Sequence, residues 1–164
     1  MSSWLFPTTA DAGMAVVAPS PATLLQDAAH GVQTYLMSSQ AAKEVNSHLR
    51  HSGEWRVRSP HNPQDLGFLF LAWLDEILYR AEVHQQWLVE SQLRIVSTEQ
   101  GMELIAHVAW VDATLIEREI EIKAITTHDF ELKFIEPDES VLSPYDGVPE
   151  FVGPCWYAQV VFDI

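Results

Sequence analysis

The chain has 164 residues, 48% of them hydrophobic, which is enough for one globular domain with a core and too short for two comfortable ones. Twenty-three acidic residues against nine Lys and Arg leave a formal net charge of −14. Such a surface repels phosphate backbones, so it argues against direct nucleic-acid binding and suits a basic protein partner or a hard cation.

The longest apolar run, 66–74, spans about nine residues, where a membrane helix needs roughly twenty. Met1-Ser2-Ser3-Trp4 has no basic stretch followed by an apolar one, so no secretory leader is visible. A single cysteine, Cys155, excludes an internal disulfide and a CxxC zinc site. These features predict a cytoplasmic protein.

In chain order, Trp4 to Phe6 reads as a short strand, 7–13 as a turn and Met14 to Ala18 as a second strand. Ser20-Pro21 then supplies a capping hydroxyl and a first-position proline. Leu24, Leu25, Ala28, Val32, Tyr35 and Leu36 follow at helical spacing, predicting a helix to about Met37. Trp55 and Val57 alternate within a strand over 54–58. Asn62-Pro63 opens a second helix over 64–83, apolar nearly all round and therefore the most buried element.

From Trp87 the period changes to two, with strands expected at 87–89, 93–95, 104–108 and 120–122 and a hairpin turn at Glu99-Gln100-Gly101. A further strand covers 130–134. The stretch 136–154, rich in proline, glycine and acidic residues, reads as an extended exposed loop. Trp156 to Phe162 closes the chain as a strand. Two helices against antiparallel sheet make a single α+β domain over 1–164.

No phosphate loop, dinucleotide fingerprint, nucleophile elbow or EF-hand loop is present. Seven histidines show no zinc spacing; His48, His51 and His61 lack an HExxH pattern or a cysteine partner. Cys155 has no base nearby in the sequence and reads as a packed thiol. Asp11, in a turn after an apolar strand, and Asp163, beside the main-chain carboxylate of Ile164, are all oxygen donors. Adjacent carboxylates joined by one from a neighbouring loop suit calcium, magnesium or manganese. Asp11 also has a plain reading as a turn residue bonding its own backbone.

Four segments together resemble the archease family. Pro7-Thr8-Thr9-Ala10-Asp11-Ala12-Gly13 is similar to its His-Thr-Ala-Asp-Val-Gly turn, and Phe70-Leu71-Ala72-Trp73-Leu74-Asp75-Glu76-Ile77-Leu78-Tyr79 to its Leu-Asp-Glu-Leu-Leu-Tyr helix. Glu121-Ile122-Lys123-Ala124-Ile125-Thr126-Thr127-His128 is similar to its Val-Lys-Ala-Val-Thr-Tyr-His strand, and Trp156 to Ile164, ending Val161-Phe162-Asp163-Ile164, to its terminal Val-Phe-Asp-Val or Ile-Asp-Ile. They occur in family order and span nearly the whole chain. Thr8 stands where the family has histidine, Thr127 where it has tyrosine, and 136–154 is longer than the usual connection.

The resemblance implies a two-helix α+β fold and a divalent cation, usually calcium, held by Asp11, Asp163 and Ile164. It implies activity carried by Lys123, with His128 beside it in the same motif. It further implies a non-enzymatic activator that helps an RtcB-type RNA ligase complete guanylylation and turn over. Two other readings are a diverged archease-like metal-binding module with another partner, and a small metal-dependent hydrolase using Asp11, Asp163 and His128. The last lacks a recognisable nucleophile or general base arrangement.

Overall fold

The structure, a computed structural model, describes residues 2–8 and 11–164. Met1, and Thr9 and Ala10 of the expected turn, lie outside the described residues. The fold is α+β with antiparallel sheets, as the sequence predicts, and divides into two compact units: 1–31 with 122–164, and 32–121.

The first unit is built on a sheet with two inner strands, β2 and β10. Strands β1 (Ser3–Pro7) and β2 (Ala12–Ala18) form an antiparallel pair, and β10 (Cys155–Asp163) pairs with the other edge of β2. The far side of β10 is shared by β7 (Glu131–Ile135) and the two-residue β6 (Ala124–Ile125). Both faces of β2 and β10 are buried, which explains why Ala12-Gly13-Met14-Ala15-Val16-Val17-Ala18 is continuously apolar rather than alternating.

Helix α1 (Pro21–Leu36) begins in this unit, with the Ser20 hydroxyl accepting from the Thr23 amide at 3.2 Å. A Cβ on its Gly31 would stand 2.6 Å from Met14 Sδ, so the helix packs closely on the β2 face that carries Met14 and Val16. The opposite face carries Phe6, Ala15, Tyr157 and Val161.

The segment 136–154 is mostly exposed, as expected, but it is not structureless. Its carboxylates are solvated, but it holds a small hairpin, β8 (Ser140–Val141) with β9 (Phe151–Val152). Val148 and Phe151 are each 7% exposed and pack with Phe6, Ala15, Ile135, Tyr157 and Val161. The segment is therefore the cover of the sheet's second face, which its apolar residues, spaced irregularly between prolines and acids, did not announce.

The second unit packs α3 (Leu66–Val83) on the sheet β3 (His51–Val57), β5 (Gly101–Asp112), β4 (Gln86–Thr98). Asp65 caps α3 by accepting from the Gly67 and Phe68 amides at 2.7 and 3.2 Å. Trp73, Phe70, Leu74 and Ile77 are essentially inaccessible, in line with the expected burial of this helix. Strand β4 is continuous across 86–98 with a bulge between Leu88 and Glu90, where the sequence suggested two strands. A short helix α2 (Ser39–Glu44), capped by Ser38, was not expected.

The expected strand at 120–122 does not form. Glu119 and Ser38 amides donate to the carbonyls of Leu36 and Glu117, so the backbone here is committed to irregular pairing near the end of α1. Residues 120–123 have no regular secondary structure and lead into β6.

Candidate functional site

The candidate residues Asp11, Asp163, Ile164, Lys123 and His128 all belong to the first unit. The β2–β10 ladder ends at the pair Ala12 and Phe162. The next residues in that direction are Asp11 on one chain segment and Asp163 on the other. On the other side of β10, Asp163 pairs with Ala124, and the Lys123 amide donates to the Asp163 carbonyl at 2.7 Å. The main chains of Asp11, Asp163, Ile164 and Lys123 thus come to one end of the sheet, although they lie more than a hundred residues apart in sequence at the extremes.

Asp11 is held in a reciprocal turn. Its amide donates to Thr8 Oγ1 at 3.0 Å, and the Thr8 amide donates to the Asp11 carbonyl at 3.1 Å. The hydroxyl of Thr8, at the position of the family histidine, therefore anchors the aspartate's backbone. Asp11 is half-buried, whereas Asp163 and Ile164 are exposed. The donors available here are carboxylate and main-chain oxygens, a hard set that fits calcium, magnesium or manganese. Among the described residues, no group of three or more His, Cys, Asp or Glu side chains is placed to hold a metal. A cation at this end would therefore draw on two side chains, main-chain oxygens and water.

Lys123 precedes β6 rather than sitting within a strand, and its side chain is exposed. The only cationic Lys or Arg residues of this unit are Lys123 and Lys133. Lys133 Nζ pairs with Glu131 at 3.4 Å; Lys123 has no side-chain hydrogen bond or ion pair among the described residues. Among the described residues it thus has no acid partner of the kind that ordinarily engages a lysine at a sheet edge.

His128 sits in the turn 127–130, closed by the Phe130 amide on the Thr127 carbonyl at 3.3 Å. Its Nε2 lies 3.3 Å from Asp129 Oδ2, and its ring is open to solvent. It is not brought into contact with Asp11 or Asp163 by any hydrogen bond or ion pair among the described residues. Thr126 fixes the approach to this turn, its amide and hydroxyl both donating to the Val161 carbonyl at 3.1 and 2.9 Å.

Sequence reasoning missed the supports behind this turn. Asp129 takes a left-handed φ of 52°, which aspartate tolerates better than most residues. Gln159, 4% exposed, donates from Nε2 to the Asp129 carbonyl at 2.9 Å and accepts from the Tyr157 hydroxyl at 2.9 Å. Burial, reinforced by the charge of Glu131, pushes the Tyr157 hydroxyl up to about 12, so it stays a donor at neutral pH. One clue existed: a glutamine inside the apolar strand 156–162 requires a buried partner.

Fold and site together define a small α+β protein with an oxygen-rich sheet end beside an uncommitted lysine. The archease protein family model matches residues 4–164, and the chain belongs to that family. The solution structure of Methanobacterium thermoautotrophicum protein 1598 is similar in fold, with a TM-score of 0.60 at 18% identity over 99% of both chains. No curated protein matches the sequence. Among the described residues, no helix is long and apolar enough to cross a membrane.

Proposed function

We propose that this chain is a non-enzymatic cofactor of an RtcB-type RNA ligase, promoting guanylylation and multiple turnover in the cytoplasm. Asp11, Asp163 and the main-chain oxygens of Ile164 hold a divalent cation, calcium first, with magnesium or manganese as alternatives. Lys123 and His128 face the ligase. The observation that carries this reading is the convergence of three family segments, the Asp11 turn, the segment around Lys123 and the end of β10 at Asp163, on one end of the sheet. A lysine without an ion pair among the described residues is suited to an anionic group on a partner or its nucleotide. The net charge of −14 supports a division of labour in which the ligase, not this chain, binds the RNA.

The test is a ligation assay with limiting ligase. Catalytic amounts of this protein should convert the cognate ligase from roughly single to multiple turnover, and the protein alone should neither join RNA nor hydrolyse GTP. A ligase that turns over equally well without it would leave the diverged-module reading instead.

A further inference from the structure

Tyr145 lies in the segment between β8 and β9 and touches structures belonging to two turns. Its ring stacks on Phe6 with centroids 3.8 Å apart and planes 8° from parallel. Phe6 is the cross-strand partner of Gly13, two residues from Asp11, and its ring covers that glycine. The Tyr145 hydroxyl donates to Asp129 Oδ2 at 3.2 Å, and the same carboxylate oxygen faces His128 Nε2 at 3.3 Å. The Asp129 main chain is tied separately to β10 through Gln159.

We infer that Tyr145 is a positioning residue that sets both turns: its ring fixes the Phe6–Gly13 end of the β1–β2 pair that carries Asp11, and its hydroxyl fixes the Asp129 carboxylate that orients His128. The geometry of this coupling stands on its own; its relevance to activation rests on the function proposed above.

The two contacts do different work. The ring contact is a packed, nearly parallel aromatic pair at the margin of the apolar cluster that includes Phe151 and Tyr157. The hydroxyl contact goes to a carboxylate whose side chain is 53% exposed, where a single hydrogen bond adds little to global stability but selects one orientation of the acceptor. Desolvation, followed by the Asp129 contact, raises the Tyr145 hydroxyl above its ordinary range, so the donor is retained at neutral pH. Removing the hydroxyl and removing the ring should therefore have separable consequences.

The experiment compares the full chain with Tyr145→Phe and Tyr145→Leu, reading amide hydrogen exchange by residue and calcium affinity by calorimetry. In Tyr145→Phe, exchange over 127–130 rises roughly tenfold, while exchange over 11–13 and calcium affinity stay at wild type. In Tyr145→Leu, both turns exchange faster and calcium affinity falls roughly tenfold, the scale expected when a group supporting a ligand is lost. Amides of β4 and β5 keep their wild-type rates in both variants. Wild-type exchange at 127–130 in Tyr145→Phe, or a uniform rise that includes β4 and β5 in Tyr145→Leu, would overturn the assignment. If wild type itself binds no calcium, the cation reading fails, and the exchange patterns alone decide the role of Tyr145. Should Tyr145→Leu not fold, exchange at 127–130 in Tyr145→Phe decides it.

Discussion

The ring of Phe6 lies across the α-carbon of Gly13, its partner in the β1–β2 ladder, and fills the space a side chain would need. A Cβ at Gly13 would stand 2.9 Å from Phe6 Cδ2 and nearer still to Cε2 and Cζ. Phe6 is 2% exposed and stacked on Tyr145, so it has little freedom to yield. Gly13→Ala should therefore cost about 1–3 kcal/mol, the usual scale of overpacking, read as a lowered urea midpoint. Adding Phe6→Leu to Gly13→Ala should recover part of the loss. An unchanged midpoint in Gly13→Ala would show that the ring moves aside freely.

The proposed cation site makes a sharper demand. Asp11→Asn and Asp163→Asn should each weaken calcium binding without abolishing the fold, because each removes one charge from an oxygen donor set and leaves its shape. The melting temperature of the wild-type protein should rise with calcium concentration, and that rise should be smaller in both variants. Calorimetric titration with calcium and manganese checks it. Equal affinity in all three proteins would remove these two carboxylates from the site.

Lys123 separates a partner contact from a structural one. Its side chain is exposed and has no ion pair among the described residues, so Lys123→Ala should leave the melting temperature and cation affinity close to wild type. Activation of the ligase should collapse. Lys123→Arg retains the charge with a different donor geometry and should restore only part of it. Full activation by a folded Lys123→Ala protein would sink the assignment.

Acid should find one weakness in the second unit. The Arg58 guanidinium, bonded to Glu103 at 2.6 Å and assisted by Arg56 at 3.0 Å, holds the Glu103 carboxyl below its ordinary value of 4.5, against the opposing effect of burial. A carboxyl depressed in the folded state contributes stability that is complete above its unfolded value and is lost as pH falls through the folded one. Glu103→Gln should thus lower the melting temperature at neutral pH, with the gap to wild type closing below about pH 4. A gap that stays constant through acidification would mean that the pairs with Arg56 and Arg58 contribute nothing.

Much of the architecture was legible because periodicity reports burial. The period-two patterns around Leu104 and the helical spacing from Leu24 to Leu36 each mark elements whose buried faces are regular. What escaped was decided elsewhere. Ile120-Glu121-Ile122 alternates as a strand should, yet Ile122 is buried without a ladder partner for the segment, and alternation cannot reveal whether a neighbouring strand exists. Helix α2 buries one residue, Ala41, too few to leave a pattern. Val148 and Phe151 are anchored by tertiary contact alone, so a segment dominated by proline and acid concealed them. The candidate residues themselves were legible mainly through family motifs. Their nearness depends on the pairing of β2 and β6 with β10, a long-range register that no local pattern encodes.

The position of β10 also orders events during synthesis. It is the strand against which β2, β6 and β7 all pair, yet it is the last of them to be translated. The β1–β2 hairpin and the apolar Met14, Val16 and Ala15 must wait for residues 155–163 before the sheet can close around them. The second unit, by contrast, draws every strand of its sheet from within 51–112 and can complete that sheet while the rest of the chain is still emerging. A ribosome that stalls before Cys155 would leave a chain with one finished sheet and one exposed apolar strand edge, a target for chaperones and for aggregation. The same late step brings Asp163 alongside Lys123, so the candidate site comes into being only when the nascent chain has been read to its final strand.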